Sequence, residues 1–268
     1  MLLACVVNGG DVAGVACFSV DSKRGLRNLG PLRSIPQPPG AAPPPAGPLI
    51  ITGDITFDPS SSALFTTVVS VDGGPGSLYA YPVIDRQVSH TLVNNTVDDL
   101  TVPFSLNFLG SDNKLIVTNP HNGSPGAALL DISPSMQIVE EKIITIPGQE
   151  ASFWVAEDLE YDTLFIMDAV RPTITIVDSR DGAIKGQFRF DTPAFGAMDT
   201  KADRNTLYTI TDPFSLNFTL IASPQILVYD ITSVIENGTP KQIQSFDIFS
   251  EVGQIPDLMG LAIYPAIN

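Results

Sequence analysis

Three residues of this chain combine suitable side chains with loop positions for acid–base chemistry on an anionic ligand. Arg171 follows an apolar run and precedes Pro172, His121 lies in the loop 119–124, and Glu150 stands just before another apolar run. A guanidinium can hold a carboxylate, and an imidazole or carboxyl group can transfer a proton. We therefore take His121, Arg171 and Glu150 as candidate catalytic residues, although an ordinary solvated loop histidine is the commoner explanation of His121.

The segments around these residues belong to an internal repeat. Four copies each consist of an apolar run, a polar turn and a Leu followed by Phe, Ile or Tyr, at 55–67, 106–118, 154–168 and 197–210. The Leu anchors are Leu64, Leu115, Leu164 and Leu207, at steps of 51, 49 and 43 residues. A repeat of this length built only from short strands predicts an all-β fold, a β-propeller of four-stranded antiparallel blades.

About five such blades are predicted in one domain. Each repeat continues with an apolar third strand and a more polar fourth strand, which gives blades at 50–93, 103–146, 150–190 and 194–248. Residues 1–35 lack a first strand, and 258–264 resemble one, so we expect a split blade; truncation of a larger ring is the alternative. The Pro-rich stretch 36–48 cannot join a sheet ladder, and we interpret it as a stiff surface loop rather than a ligand for a proline-binding module.

In a propeller the loops between second and third strands surround one mouth of the central channel. This arrangement would bring His121 and Arg171 to the same opening, with Glu150 at the start of a first strand. First strands line the channel, and their candidate lining residues are Asp54, Phe104, Trp154, Phe195 and Met259. Apart from Asp54 these side chains are apolar, which suits packing or a neutral ligand better than a tricarboxylate.

The composition argues against several function classes. The chain has 14 Lys and Arg against 29 Asp and Glu, a net charge of -15, which disfavours nucleic acid and anionic membrane surfaces. No apolar run approaches the length of a membrane span. The chain has two histidines and no further ligands at suitable spacing, which argues against a zinc site. It also contains no cofactor motif, so we expect neither a metal nor a cofactor.

Two cysteines, Cys5 and Cys17, flank the turn signal 8–10 symmetrically. A hairpin would place them opposite each other, and from spacing alone a disulfide and two buried thiols are equally acceptable. N-glycosylation sequons occur at four asparagines: Asn94, Asn122, Asn217 and Asn237. They matter only if the protein is secreted, and the first residues do not read as a signal peptide.

Several short motifs together resemble one fungal family. Two of them are pairs of segments, 3–10 and 14–19, and 54–57 and 63–67. The others are Pro-Phe-Ser-Leu-Asn-Phe at 103–108, Phe-Trp at 153–154 and Gly-Leu-Ala-Ile-Tyr-Pro at 260–265. The chain resembles the secreted fungal 3-carboxymuconate-cyclase-like proteins, relatives of the seven-bladed lactonase propellers. None of the histidine, arginine and glutamate residues that such cyclases use can be matched here by motif.

The resemblance implies a seven-bladed ring, an extracellular or wall-associated protein, a Cys5–Cys17 disulfide and usable sequons. It also leads us to expect a signal peptide and two further blades encoded upstream. We predict a secreted or cell-wall β-propeller glycoprotein that is monomeric and binds a small organic acid or a cell-surface ligand. The alternative is an intramolecular lyase that lactonises 3-carboxy-cis,cis-muconate or a related acid.

Overall fold

The computed structural model contains antiparallel sheets almost exclusively. It describes residues 2–10, 12–36, 51–70, 73–111, 113–121, 126–158, 160–190, 196–211, 222–236, 239–252 and 260–262. Within these residues the strands form five sheets, each built largely from strands that follow one another along the chain. The predicted fold class, an all-β propeller of four-stranded antiparallel blades with about five blades present, is confirmed.

The first two sheets precede residue 97. The first contains β1 (Leu2–Asn8), β2 (Gly14–Asp21), β3 (Gly25–Asn28) and β4 (Arg33–Ser34). The second contains β5 (Thr52–Phe57), β6 (Ala63–Val68), β7 (Ser77–Ile84), β8 (Gln87–Val88) and β9 (Val93–Thr96). Strands β3 and β4 both pair with β2, and β8 and β9 both pair with β7, so in each sheet the outer strand is interrupted by a turn.

The remaining three sheets have uninterrupted strands in the order of the sequence. The third contains β10 (Leu106–Phe108), β11 (Lys114–Asn119), β12 (Gly126–Ile132) and β13 (Ile138–Thr145). The fourth contains β14 (Ser152–Asp158), β15 (Thr163–Asp168), β16 (Thr173–Asp178) and β17 (Ile184–Arg189). The fifth contains β18 (Ala197–Asp203), β19 (Thr206–Thr211), β20 (Gln225–Asp230) and β21 (Lys241–Asp247).

Helices are short in the described part of the chain. A 3-10 helix spans Thr232–Glu236 and α1 spans Phe249–Val252. Neither is long or apolar enough to cross a membrane.

The chain divides into two compact units, one of residues 1–117 and 128–142, the other of residues 118–127 and 143–268. The first unit holds two apolar clusters, one around Phe65, Leu115 and Leu130 and the other around Cys17, Leu64 and Tyr81. The second unit holds one cluster, around Phe165 and Leu207. Strands β6 and β15 are buried at every position, because both faces of their sheets are covered.

The repeat predicted from the sequence has a direct counterpart in strand register. The anchors pair with the residues of the preceding strand as Leu64–Phe57, Leu115–Phe108, Leu164–Glu157 and Leu207–Ala202. All four Leu side chains are at most 1% exposed. The residue three positions before the first-strand partner of each anchor is equivalent in the four sheets. These residues are Asp54, Ser105, Trp154 and Asp199.

Two of these equivalent positions carry an aspartate with the same bonding pattern. The Oδ2 atom of Asp54 on β5 accepts the backbone N–H of Leu106 on β10 at 3.2 Å, and its Oδ1 atom accepts the N–H of Ile55 at 2.8 Å. Asp199 on β18 accepts the N–H of Leu261 with Oδ2 and the N–H of the residue after it with Oδ1, both at 2.6 Å. We call these two carboxylates the strand latches.

Threonines on second strands form a further hydrogen bond between sheets. Each donates to the carbonyl of the residue just before Ser105 or Trp154, the positions equivalent to the latches. Thr67 Oγ1 donates to the Phe104 carbonyl and Thr118 Oγ1 donates to the Phe153 carbonyl, each at 2.5 Å. Gly53 allows this close approach in the first unit, because a Cβ there would lie 2.5 Å from the Phe104 carbonyl oxygen.

The two cysteines are disulfide-bonded, which resolves the alternatives left by their spacing. Cys5 and Cys17 are directly opposite in the β1–β2 register, with their Cα atoms 4.1 Å apart. The predicted Pro-rich loop 36–48 and the predicted closing strand 258–264 lie almost wholly outside the described residues.

Candidate functional site

The candidate site lies in the second unit, at the end of the fourth sheet where β15 leads into β16. Asp168 is the last residue of β15 and is register partner of Ser152, the first residue of β14. The loop 169–172 therefore lies beside the segment 149–151 that precedes β14. Glu150 and Arg171 lie on these two neighbouring segments.

The carboxylate of Asp168 holds both segments through four backbone N–H groups. Its Oδ2 atom accepts the N–H of Glu150 at 2.7 Å, and its Oδ1 atom accepts those of Ala151 at 3.2 Å, Val170 at 2.8 Å and Arg171 at 3.1 Å. The residue is fully buried. Burial raises the pKa of Asp168, and the four N–H groups act in the opposite direction.

The side chains of the two residues whose backbone Asp168 holds, Arg171 and Glu150, form an ion pair. Arg171 Nε donates to Glu150 Oε1 at 2.8 Å, and Nη2 donates to the same oxygen. The hydrogen bond and charge of Glu150 raise the pKa of Arg171. The side chains of Arg171 and Glu150 are 52% and 45% exposed, so the pair is open to solvent although Asp168 holds its backbone.

A buried layer of polar side chains supports the segment that carries Glu150. Gln149 Nε2 donates to the Ile166 carbonyl at 3.0 Å and to Thr175 Oγ1 at 2.9 Å. Ser152 Oγ donates to Gln149 Oε1 at 2.5 Å, and Gln187, an exposed residue of β17, donates from Nε2 to Thr175 Oγ1 at 3.0 Å. A satisfied buried network of this kind restricts the backbone above it to one arrangement.

The structure joins Arg171 and Glu150 in an ion pair, and among the described residues no hydrogen bond or ion pair links His121 to them. His121 is half-buried and follows β11 in the second unit. Among the residues that the structure describes, it forms no hydrogen bond and no ion pair. A catalytic role for His121 remains a prediction from the sequence.

The predicted channel-lining residues have different surroundings. Asp54 is a strand latch, and it also accepts the hydroxyl of Ser105 at 3.3 Å. Phe104 is half-buried, and Trp154 packs against the apolar cluster of the second unit with its ring 5.8 Å from that of Phe153. Phe195 and Met259 lie outside the described residues.

Sequence reasoning missed Asp168 and Asp199. Asp168 closes the repeat motif 154–168, but an acidic residue at a strand end is a common turn signal. The equivalence of Asp199 and Asp54 is not apparent from the sequence, because the turn that follows the strand of Asp199 is shorter than the turn that follows the strand of Asp54. Alignment on the Leu anchors of the second and fifth sheets is the signal that finds Asp199.

The predicted glycosylation sites can be followed only in part. Asn94 is exposed on β9, whereas Asn95 is buried and donates to the carbonyls of Leu78 at 3.3 Å and Met136 at 2.9 Å. The other sequon asparagines, Asn122, Asn217 and Asn237, lie outside the described residues. In the part of the chain with described structure, no group of three or more His, Cys, Asp or Glu residues is arranged to hold a metal ion.

Comparison with known proteins shows the fold. A periplasmic gluconolactonase of Pseudomonas aeruginosa is 16% identical with a TM-score of 0.62, over 92% of this chain and 68% of that chain. A protein from Lactobacillus plantarum is 15% identical with a TM-score of 0.64, over 91% and 68%. A luciferin-regenerating enzyme is 14% identical with a TM-score of 0.56, over 80% and 71%.

No protein-family model matches the sequence, and no curated protein matches it. The structural neighbours therefore share the fold of this chain, and at these identities they show nothing beyond the fold.

Proposed function

We propose that this protein is a secreted or wall-associated β-propeller that binds a small organic acid at the Glu150–Arg171 pair. The observation that carries the proposal is the bonding of Asp168, whose buried carboxylate fixes the backbone of both residues. A binding group is effective when its backbone is held in advance, because less conformational entropy is lost on binding. Arginine is suited to this role, since its planar guanidinium recognises carboxylates through paired hydrogen bonds.

The polar layer below the pair supports a functional role over a purely structural one. Burying Asp168, Gln149 and Ser152 removes polar groups from water, and an apolar core of equal volume is often as stable. An exposed ion pair by itself contributes little to stability. The combination of a costly buried support and an exposed charged pair is typical of a preorganised binding site.

The extracellular part of the proposal is supported by the Cys5–Cys17 disulfide, since disulfides persist in oxidising compartments. The exposed sequon asparagine Asn94 and the resemblance to secreted fungal proteins agree with it.

A second candidate function is lactone chemistry, in the form of a cyclase acting on a muconate-type acid. The observation in its favour is the likeness in fold to a gluconolactonase. In this case Arg171 would hold a substrate carboxylate while Glu150 or His121 transfers a proton.

Binding and turnover can be tested on the same preparations. We expect small acids with one carboxylate, such as gluconate and hexanoate, to bind the wild-type protein in an NMR titration, and Arg171→Ala and Asp168→Asn to weaken binding by roughly tenfold or more. Arg189→Ala is the matched control, because it removes an exposed guanidinium from the outer strand β17 of the same sheet.

The ultraviolet absorbance of 3-carboxymuconate reports turnover in the same samples. We expect no conversion by the wild-type protein, which would leave binding as the function. Robust conversion would replace the binding proposal with the cyclase, and we then expect His121→Ala and Arg171→Ala each to lower the rate by about 100-fold. Equal loss of binding in Arg189→Ala and Arg171→Ala would refute the assignment of the site.

A further inference from the structure

The hydrogen-bonding groups left open in the Glu150–Arg171 pair define the chemistry of its ligand. Arg171 uses Nε and Nη2 on one oxygen of Glu150, Oε1. Among the described residues, neither Arg171 Nη1 nor Glu150 Oε2 has a hydrogen-bond partner. The pair therefore presents an open charged donor and an open charged acceptor to solvent.

The charge of this site disfavours a ligand with several carboxylates. The guanidinium of Arg171 is balanced by the carboxylate of Glu150, and the whole chain has a net charge of -15. A ligand carboxylate that approaches Arg171 also approaches Glu150, because the two side chains are in contact, and like charges repel each other. A second or third carboxylate on the ligand increases this repulsion without gaining another cation at the pair.

A hydroxyl group next to the ligand carboxylate removes the conflict. The hydroxyl donates to Glu150 Oε2 while the carboxylate accepts from Arg171 Nη1, so that both open groups acquire a partner of matching type. A carboxylate without a hydroxyl leaves Glu150 facing an acceptor, and a polyol without a carboxylate leaves Arg171 without its anion.

We propose that the Glu150–Arg171 pair selects hydroxy acids, molecules with a single carboxylate and at least one nearby hydroxyl group, over unhydroxylated acids and polycarboxylates. This inference rests on the proposed acid-binding function and specifies its ligand class. Glu150 is then the specificity-determining residue, and Arg171 is the anchor.

The probes are gluconate, hexanoate and tricarballylate, titrated separately into the full chain at constant ionic strength and followed by NMR. Gluconate carries one carboxylate and many hydroxyls, hexanoate is the unhydroxylated acid of equal carbon number, and tricarballylate carries several carboxylates and no hydroxyl. We expect gluconate to bind the wild-type protein roughly tenfold more tightly than either of the other two.

Glu150→Ala separates this inference from general electrostatics, because it has effects of opposite sign on the probes. It should weaken gluconate binding, since the hydroxyl loses its acceptor, and strengthen hexanoate and tricarballylate binding, since Arg171 loses its competing carboxylate. Arg171→Ala should weaken all three, and Arg189→Ala should change none.

Failures of the two proposals are distinguishable. If hexanoate or tricarballylate binds the wild-type protein as tightly as gluconate, or if Glu150→Ala strengthens gluconate binding as well, the hydroxy-acid inference is wrong and acid binding stands. If none of the three acids binds, or if Arg171→Ala leaves all affinities unchanged, both proposals are wrong.

Discussion

At the scale of single residues, two carboxylic acids of the fourth sheet have unusual surroundings. Asp168 is buried and fully engaged by backbone N–H groups. Glu157 is half-buried on β14, in the position that Phe57 and Phe108 occupy in two other sheets. Both phenylalanines pack in apolar clusters. A glutamate at this position is thus surrounded by an environment suited to an apolar side chain.

Burial, followed by the negative charges of Asp162 and Asp158, raises the pKa of Glu157 to about 7. Below pH ~4.5 the carboxyl group is neutral in the folded and unfolded chain, so it imposes no penalty. Between pH ~4.5 and ~7 the unfolded chain releases the proton while the folded chain retains it, and the stability falls as the pH rises. Above pH ~7 the group is charged in both states and the loss is complete.

Glu157→Gln should therefore flatten the decline in stability between pH 4.5 and 7 and raise the free energy of unfolding at pH 8 by on the order of 1–3 kcal/mol. Urea unfolding followed by tryptophan fluorescence at several pH values measures this difference. Glu140→Gln, which changes an exposed glutamate on β13, is the control and should shift nothing. Identical pH profiles for Glu157→Gln and the wild type would contradict the prediction.

At the scale of elements, each strand latch links a first strand to a later segment of the chain. Asp54 and Asp199 have equivalent positions, and each accepts a backbone N–H from its own strand and another from a later segment. Without the carboxylate, both N–H groups lose their acceptor. This bonding explains an acidic residue on a first strand without invoking a ligand.

We expect Asp54→Ala and Asp199→Ala each to lower the free energy of unfolding by about 1–3 kcal/mol, because buried or half-buried donors are left unsatisfied. Hydrogen exchange should also become faster at the amide of Leu106 in the first variant and of Leu261 in the second. Asp203→Ala, at the exposed end of the same strand as Asp199, is the matched control. If Asp54→Ala abolishes acid binding without affecting exchange at Leu106, Asp54 is a ligand residue and not a latch.

At the scale of the whole molecule, the disulfide agrees with the proposal that the protein acts outside the cell. A disulfide between neighbouring strands persists where the surroundings are oxidising. A strong net charge keeps a protein soluble and disfavours binding to nucleic acid and anionic membranes. The exposed position of Asn94 on an outer strand leaves room for a glycan.

In the organism that produces it, we expect this protein in the culture medium or the wall extract, with Cys5 and Cys17 oxidised and a glycan on Asn94. Peptide mass spectrometry before and after endoglycosidase treatment tests both modifications, and Asn94→Gln should remove the glycan at that peptide. A cytosolic protein with free thiols and unmodified Asn94 would show that the extracellular proposal is wrong.

The sequence by itself determined the fold class and the hairpin that carries the disulfide. Both depend on short-range patterns, because strand alternation, turn residues and a periodic Leu anchor are encoded within a few residues of one another. The symmetric spacing of Cys5 and Cys17 predicted their opposition, although not the bond between them. Loop positions also predicted that His121 and Arg171 could converge, together with Glu150, and of these contacts the structure shows the one between Arg171 and Glu150.

Only the tertiary structure decided what holds those two residues. Glu150 and Arg171 are 21 residues apart, and their contact depends on the β14–β15 register, which is shifted between Ser152 and Val155. The role of Asp168 as their common support could be recognised only from the structure, in which its carboxylate accepts four backbone N–H groups. Likewise the roles of Asp54 and Asp199 depend on a later segment of the chain, 52 and 62 residues away, which no local pattern encodes.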